Sequence, residues 1–144
     1  MPHQVAFSRN VLEREGALWF RVEGCSMRPF LRAGDRVLIR ACSIETLTWG
    51  DVVLFTNGDS LCLHRVMVPM GQNGRRSVQT KGDTCGRWDL PPAAESIIGK
   101  GVMVQRGNCL LTLDSWSGRL LSSLCASSSI LIGWGLWLKW RLRH

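Results

Sequence analysis

Four Gly-Asp dipeptides divide the first two thirds of the chain, and this punctuation constrains the fold more than any other feature. They stand at positions 34–35, 50–51, 58–59 and 82–83. Glycine supplies positive φ and aspartate bonds back to the backbone, so each pair favours a tight turn. Three pairs lead into apolar runs, whereas the fourth enters the polar loop TCGRWD. Short apolar runs between tight turns are typical of strands, so a mainly β fold is expected.

The apolar runs predict the following strands: 17–23, 35–41, 51–56, 60–68, 76–80, 97–104 and 109–113. A short helix is predicted over residues 4–15, where Asn10 and Glu13 have the spacing of a capping box. No repeat of fixed period occurs, which excludes solenoids and propellers. With 144 residues, 45% of them hydrophobic, the chain is long enough for one domain with a core.

Three regions are predicted along the chain. Residues 1–16 form an N-terminal extension, residues 17–105 the β domain, and residues 106–144 a hydrophobic and basic tail. Within that tail, residues 120–138 carry no charge and predict a hydrophobic helix. Its serines and the tryptophans of its basic end favour a helix lying in a membrane interface over one that spans the bilayer. Membrane contact through residues 120–140 is expected, and packing on the domain or on a partner is the alternative.

The charge and the cysteines limit the classes of partner. The net charge is +7, but the arginines are scattered among strands and not collected on one helix, so nucleic-acid binding is not expected. The six cysteines include no C-x-x-C pair, which argues against a zinc or redox motif. The first fifteen residues contain no hydrophobic signal segment, so a reducing compartment is favoured. No metal or organic cofactor is implied.

Ser26 lies in the turn GCSMRPFLRAGD, where it is either an ordinary turn serine or a nucleophile. A serine nucleophile needs a base to take its proton. Of the three histidines, only His64 lies within a predicted strand, while His3 and His144 are near the chain ends. If Ser26 is activated, His64 is therefore the expected base, although a strand histidine bonded to a carbonyl is the simpler interpretation.

Lysine is the other side chain that can serve as a base when it is buried and neutral. Lys81 adjoins a turn, Lys100 stands between two glycines, and Lys139 is in the tail. None is expected to be buried inside a strand. A histidine base works better when a carboxylate orients it, and Asp83 or Asp89 can fill that role. Each of these acids taken alone is equally consistent with a turn residue or an ion pair.

Four segments, in this order, resemble the sequence boxes of type I signal peptidases. They are GCSMRPFLRAGDRVLIR, GDVVLF with LHRVMV, TKGDTCGRWD and IIGKGVMV. The resemblance covers roughly residues 20–105 and implies a signal-peptidase-like β domain. Histidine in place of lysine in the second box is similar to the archaeal and endoplasmic-reticulum branch of that family.

The resemblance implies a serine endopeptidase that removes a leader or signal peptide. It assigns the nucleophile to Ser26, the general base to His64, and the acids to Asp83 and Asp89. By analogy, the backbone N–H of Ser26 or Met27 would bind the oxyanion. An extended peptide or protein substrate would add alongside a strand.

In that family a membrane segment usually precedes the serine box, and the first twenty residues of this chain contain no such segment. A membrane-associated enzyme that faces the cytoplasm is therefore favoured, and the extracytoplasmic face is the alternative location. Two alternatives remain. A self-cleaving repressor-like peptidase pairs serine with lysine and carries a DNA-binding domain, and no helix-turn-helix precedes residue 20. A non-catalytic β module would use the same boxes to bind a peptide or a membrane.

Overall fold

The computed structural model describes residues 2–72 and 75–113 of the chain. Helix α1 spans Pro2–Glu15, and seven strands follow: β1 (Ala17–Arg21), β2 (Arg36–Arg40), β3 (Val52–Asn57), β4 (Ser60–Gln72), β5 (Arg75–Lys81), β6 (Ile97–Arg106) and β7 (Cys109–Thr112). The mainly β fold, the helix and all seven strands are confirmed, with ends displaced by a few residues. The hydrophobic helix predicted at 120–138 lies outside the described residues. Within the described part of the chain, no helix has the length and apolar character to cross a membrane.

The strands form one antiparallel sheet in the order β1-β2-β6-β3-β4-β5, with β7 also paired to β6. Strand β4 is shared between two partners. Its first half pairs with β3, from Ser60 to Arg65, and its second half pairs with β5, from Arg65 to Gln72. Among the described residues, β1 pairs only with β2. One edge of β1 and one edge of the first half of β4 are therefore left without a strand partner in the described part.

The Gly-Asp turns are confirmed at three of the four positions. Gly34, Gly50 and Gly58 have φ values of +96°, +89° and +59°, which favour glycine over residues with a Cβ. Gly82 is different: its φ lies outside the left-handed region, so the expectation of a positive φ there was wrong. Glycine is needed at this position for its small size, because a Cβ would lie 2.7 Å from Cys85 Sγ and 3.0 Å from Ser26 Cβ.

The core consists of two clusters of buried apolar side chains on the sheet. The larger cluster contains Val37 and Leu54 from the sheet, and also Leu12 from α1 and Leu113 after β7. The packed core thus includes one residue before and one residue after the 17–105 region of the chain. Because Leu12 is 4% exposed, α1 is anchored on the sheet by burial of its apolar side.

Candidate active site

The turn after β1 presents Ser26. Its backbone is fixed by bonds from Arg28 N to Cys25 O (3.1 Å) and from Leu31 N to Met27 O (2.8 Å). The Met27 side chain is 2% exposed and packs into the core. Pro29 follows a cis peptide bond. The turn is therefore held by its own hydrogen bonds and by a buried side chain one residue after Ser26.

A second loop lies directly against the Ser26 turn. Thr84 donates from its backbone N to Ser26 O (2.9 Å), and its hydroxyl donates to Ser26 O and Cys25 O, both at 3.1 Å. The close approach is possible because Gly82 has no side chain. These contacts connect the Gly82-Asp83 turn to Ser26. The backbone N–H groups of Ser26 and Met27 stay predicted oxyanion donors.

Ser26, His64 and Asp89 form a continuous chain of hydrogen bonds. Ser26 Oγ lies 3.2 Å from His64 Nε2, and Asp89 Oδ2 lies 2.6 Å from His64 Nδ1. A carboxylate only accepts, so Nδ1 carries the proton and Nε2 is left to accept from the serine hydroxyl. The His64 side chain is 13% exposed, and its ring meets that of Phe55 edge to face, with centroids 6.0 Å apart.

Asp89 is oriented by strand β5. Its Oδ2 accepts from Thr80 Oγ1 (2.8 Å), and its backbone N donates to Thr80 O (3.0 Å). Its carbonyl accepts from the side-chain amide of Gln79. The carboxylate thus has a second donor besides His64, and the loop that carries it is attached to the edge of the sheet. Both effects fix the carboxylate toward the imidazole.

Asp83 lies elsewhere and binds Arg65. The guanidinium donates twice to this carboxylate, from Nε to Oδ1 and from Nη2 to Oδ2, each at 2.7 Å. Arg65 is 0% and Asp83 2% exposed. Successive side chains of a strand point to opposite faces, so Arg65 and its partner are directed away from His64. Of the two predicted acids, the structure brings Asp89 to His64 and Asp83 to Arg65.

Arg65 also contacts the two neighbouring turns. Its Nη1 donates to Gly50 O (3.0 Å), and its guanidinium lies 4.6 Å from the centre of the Phe30 ring. Phe30 belongs to the turn that carries Ser26. A buried arginine with a bidentate carboxylate, a carbonyl and an aromatic face has its donors satisfied and its charge balanced. Through Phe30 and Asp83, this group supports both loops that border Ser26.

Lys81 corrects one expectation from the sequence. It is 2% exposed at the end of β5, and desolvation by burial lowers its pKa, although the nearby Asp83 opposes the shift. A buried lysine therefore exists. Lys81 is the direct partner of Arg65 in the sheet register, so the two side chains share the face opposite to His64. Its amine contacts Gly82 O at 3.4 Å, whereas the Ser26 hydroxyl bonds His64.

Asp35 closes the Ser26 turn at its far end. Burial alone would raise the pKa of Asp35, but hydrogen bonds from Arg106 and from the Arg32 backbone outweigh it and lower the pKa below its ordinary value. Arg106 binds both carboxylate oxygens, at 2.9 and 2.6 Å, and also donates to Phe30 O at 2.9 Å. The turn is therefore connected to strand β6.

Two thiols, those of Cys62 and Cys85, belong to the surroundings of the site. Cys62 lines the groove beside His64, and Cys85 packs against Gly82. Burial raises the pKa of both thiols, and the carboxylate of Asp89 raises them further. A thiol with a raised pKa is a poor nucleophile because it stays protonated. This disfavours these two thiols as nucleophiles, whereas the Ser26 hydroxyl lies within hydrogen-bond distance of His64 Nε2. In the described residues the five cysteines are free thiols.

Ser26 and His64 stand at one end of a groove of about 570 Å³. Its walls are β1, the first half of β4 and helix α1, which contributes Gln4, Phe7 and Ser8. The walls from β1 and β4 are the two strand edges that lack a strand partner in the described residues. An extended peptide in the groove could pair its backbone with these edges, which is the way strand addition binds peptides.

Sequence reasoning did not find Thr80, Thr84, Gln79 or the pairing of Arg65 with Asp83. Thr80 and Thr84 lie close to candidate acids in the chain, but threonine near a turn has no distinctive signal. The pairing of Arg65 had a usable signal. Alternation along β4 directs His64 and Arg65 to opposite faces, so one acid for each face is consistent with the sequence.

A serine hydroxyl bonded to an imidazole whose other nitrogen meets a carboxylate is the arrangement by which serine hydrolases activate a nucleophile. A family model described as Peptidase S24-like matches residues 2–102. The chain therefore belongs to the Peptidase S24-like family, which indicates serine peptidase activity in general and is related both to signal peptidases and to self-cleaving repressors. No curated protein and no solved structure matches the chain.

Proposed function

We propose that the protein is a signal-peptidase-like serine endopeptidase with Ser26 as nucleophile, His64 as general base and Asp89 as the residue that orients His64. The observation that carries the proposal is the hydrogen-bonded chain from Ser26 Oγ through His64 to Asp89. It lies at the end of a groove walled by two strand edges that have no strand partner among the described residues. In this assignment Asp83 supports the fold of the site and does not touch the reacting groups.

The reaction follows from this geometry. As Ser26 Oγ attacks the scissile carbonyl carbon, His64 Nε2 takes the hydroxyl proton, and Asp89 stabilises the imidazolium that forms. The oxyanion would be met by the backbone N–H of Ser26 or Met27. The imidazolium then gives its proton to the leaving amine, which departs and leaves an acyl-serine. Water, deprotonated by His64, hydrolyses that ester and restores the hydroxyl.

The substrate class rests on the resemblance to signal peptidases. A leader-bearing peptide or small protein would lie extended in the groove, with the bond to be cut beside Ser26. Membrane association through residues 120–140 and a cytoplasmic-facing active site complete this proposal. Protease protection of intact cells or vesicles tests the orientation, since digestion of the domain from the outer side would exclude the cytoplasmic face.

The test uses a proteome-derived peptide library, because the natural substrate is unidentified. The library is incubated with the wild-type protein and with Ser26→Ala, with and without lipid vesicles, and new peptide ends are read by mass spectrometry. Cleavage at a consistent sequence by the wild type alone supports the proposal. If the wild type cuts nothing under either condition, the non-catalytic binding module is the better description.

A second candidate is cleavage of the protein's own chain, and one observation favours it. Helix α1 belongs to the same chain as Ser26, yet Gln4, Phe7 and Ser8 already line the groove. The family relation to self-cleaving repressors is equally compatible with such a reaction. Intact-mass analysis of the purified protein over time separates the two candidates. Self-cleavage predicts shortening of the wild type at a rate independent of its concentration, and an unchanged Ser26→Ala variant.

A further inference from the structure

Helix α1 closes the end of the groove that is farthest from Ser26. Strand β1 begins immediately after α1 and runs toward the Ser26 turn, so the junction lies at the far end. The Arg9 side chain also donates to Glu95 O, and the neighbouring Ser96 O accepts from Thr56. Thr56 leads into the hairpin at the start of β4. The helix is therefore attached on both sides of the far end.

Phe7 is a large apolar side chain of α1 that is mostly exposed. Leu12 is 4% and Ser8 6% exposed, whereas Phe7 is 68% exposed although it lines the groove. Leu18 from β1 and Leu61 from β4 line the same groove. Covering a large aromatic side chain that is exposed to water beside other apolar side chains lowers the free energy, so this surface favours an apolar ligand.

The acylation step indicates which part of the substrate lies in this groove. After acylation the C-terminal product leaves as an amine, while the N-terminal part stays bonded to Ser26. The groove is closed by α1 at its far end, so it can hold the N-terminal part, which stays bonded to Ser26. The C-terminal product has to dissociate and therefore needs an open path to solvent. Leu61 precedes His64 by three residues, which is about 10 Å along an extended strand. A paired peptide would thus bring roughly its fourth to sixth residue before the bond to this end.

We propose that Phe7 is a specificity-determining residue that forms, with Leu18 and Leu61, an apolar subsite for a large apolar side chain on the N-terminal arm of the substrate. The inference rests on the proposed function, since it describes how the same groove selects its peptide. Its ligand is a Leu-, Ile-, Phe- or Met-type side chain about four to six residues before the scissile bond.

The experiment compares the cleavage profiles of the wild type, Phe7→Ala, Phe7→Leu and Leu110→Ala on the peptide library. Leu110 is the matched control, because it is an apolar residue 63% exposed on β7, outside the groove. The best-cut sequence is then synthesised with Leu or with Ala at the selected upstream position. Melting temperatures of all four proteins are recorded, and we expect them to agree because both residues are exposed.

The wild type and Leu110→Ala should favour the Leu peptide by about tenfold in kcat/KM, chiefly through KM. Phe7→Ala should reduce this preference to about twofold, and Phe7→Leu should restore most of it. An unchanged upstream preference in Phe7→Ala would overturn the inference and leave the peptidase assignment standing. If the wild type cut no peptide at all, the proposed function and this inference would fall together.

Discussion

Two neighbouring residues of β4, His64 and Arg65, each bind an aspartate, and the two pairs differ in exposure and in what surrounds them. His64 and Asp89 are 13% and 21% exposed beside the groove, and Ser26 adjoins the pair. Arg65 and Asp83 are 0% and 2% exposed and contact two turns and an aromatic ring. A group that transfers protons must reach the substrate, whereas a permanent charge inside the protein must be fully paired.

Strand β4 thus presents the candidate base to the groove on one face and supports two loops on the other. Because side chains alternate along β4, a single residue step separates the two environments. The loop of residues 82–89 supplies both acids, one to each face. It therefore connects the supporting pair to the reactive pair, and Thr84 in the same loop donates to Ser26 O.

The largest expected effect is on the reactive pair. His64→Ala should lower cleavage by about 10³-fold or more, because no other described base bonds the Ser26 hydroxyl. The initial rate on the best library peptide measures this. The wild-type rate should also fall reversibly in acid, since a protonated imidazole cannot accept the serine proton. A variant that retains wild-type turnover would remove His64 from the mechanism.

The supporting pair should respond in stability. Asp83→Asn leaves Arg65 buried with an incomplete partner, and we expect a loss of about 3 kcal/mol in the free energy of unfolding. Urea denaturation followed by tryptophan fluorescence measures it. Asp89→Asn is the matched control, because the partly exposed Asp89 should cost less than about 1 kcal/mol. Equal losses in the two variants would mean that the two pairs are not distinct in role.

Acid should weaken the hydrogen bonds of Asp35, which closes the Ser26 turn at its far end. The folded pKa of Asp35 lies below its ordinary value of 3.8, so this residue stabilises the fold above that value and loses the contribution as the pH falls through the folded pKa. The Arg106 side chain is 43% exposed, so solvent screening limits the contribution to about 1 kcal/mol. Melting curves at several pH values should show a smaller acid dependence in Asp35→Asn. An identical dependence would assign the acid sensitivity to other carboxylates.

The smallest effect is expected at Lys81. This residue shares the face of Arg65, so Lys81→Met should leave kcat within about twofold of the wild type. The same peptide assay measures it, with His64→Ala as the positive control for a lost base. A loss of activity comparable to that of His64→Ala would instead favour serine–lysine chemistry and the self-cleaving alternative.

Much of the fold could be predicted because its signals are local. Gly34, Gly50 and Gly58 need positive φ, and the apolar runs between them can form strands without information from distant residues. Gly82 could not be interpreted in this way, because its small size is required by Ser26 and Cys85, which approach it through tertiary contacts.

The candidate site was only partly predictable for the same reason. Ser26 and His64 follow from the scarcity of bases and from the resemblance to signal peptidases. The partner of each acid could not be predicted, because Asp83 and Asp89 belong to one loop and their separation depends on how that loop passes the middle of β4. The burial of Lys81 depends on its register opposite Arg65, which is a contact between residues distant in the chain.

The most direct test of the account compares Asp89→Asn with Asp83→Asn on the same peptide, with kcat expressed per folded molecule. Asp89→Asn should lower kcat by about 10²–10⁴-fold, because the His64 imidazole loses the carboxylate that orients it. Asp83→Asn should stay within about threefold of the wild type once its unfolded fraction is subtracted. If Asp83→Asn lost as much turnover as Asp89→Asn, or more, the division of roles between the two faces of β4 would be contradicted.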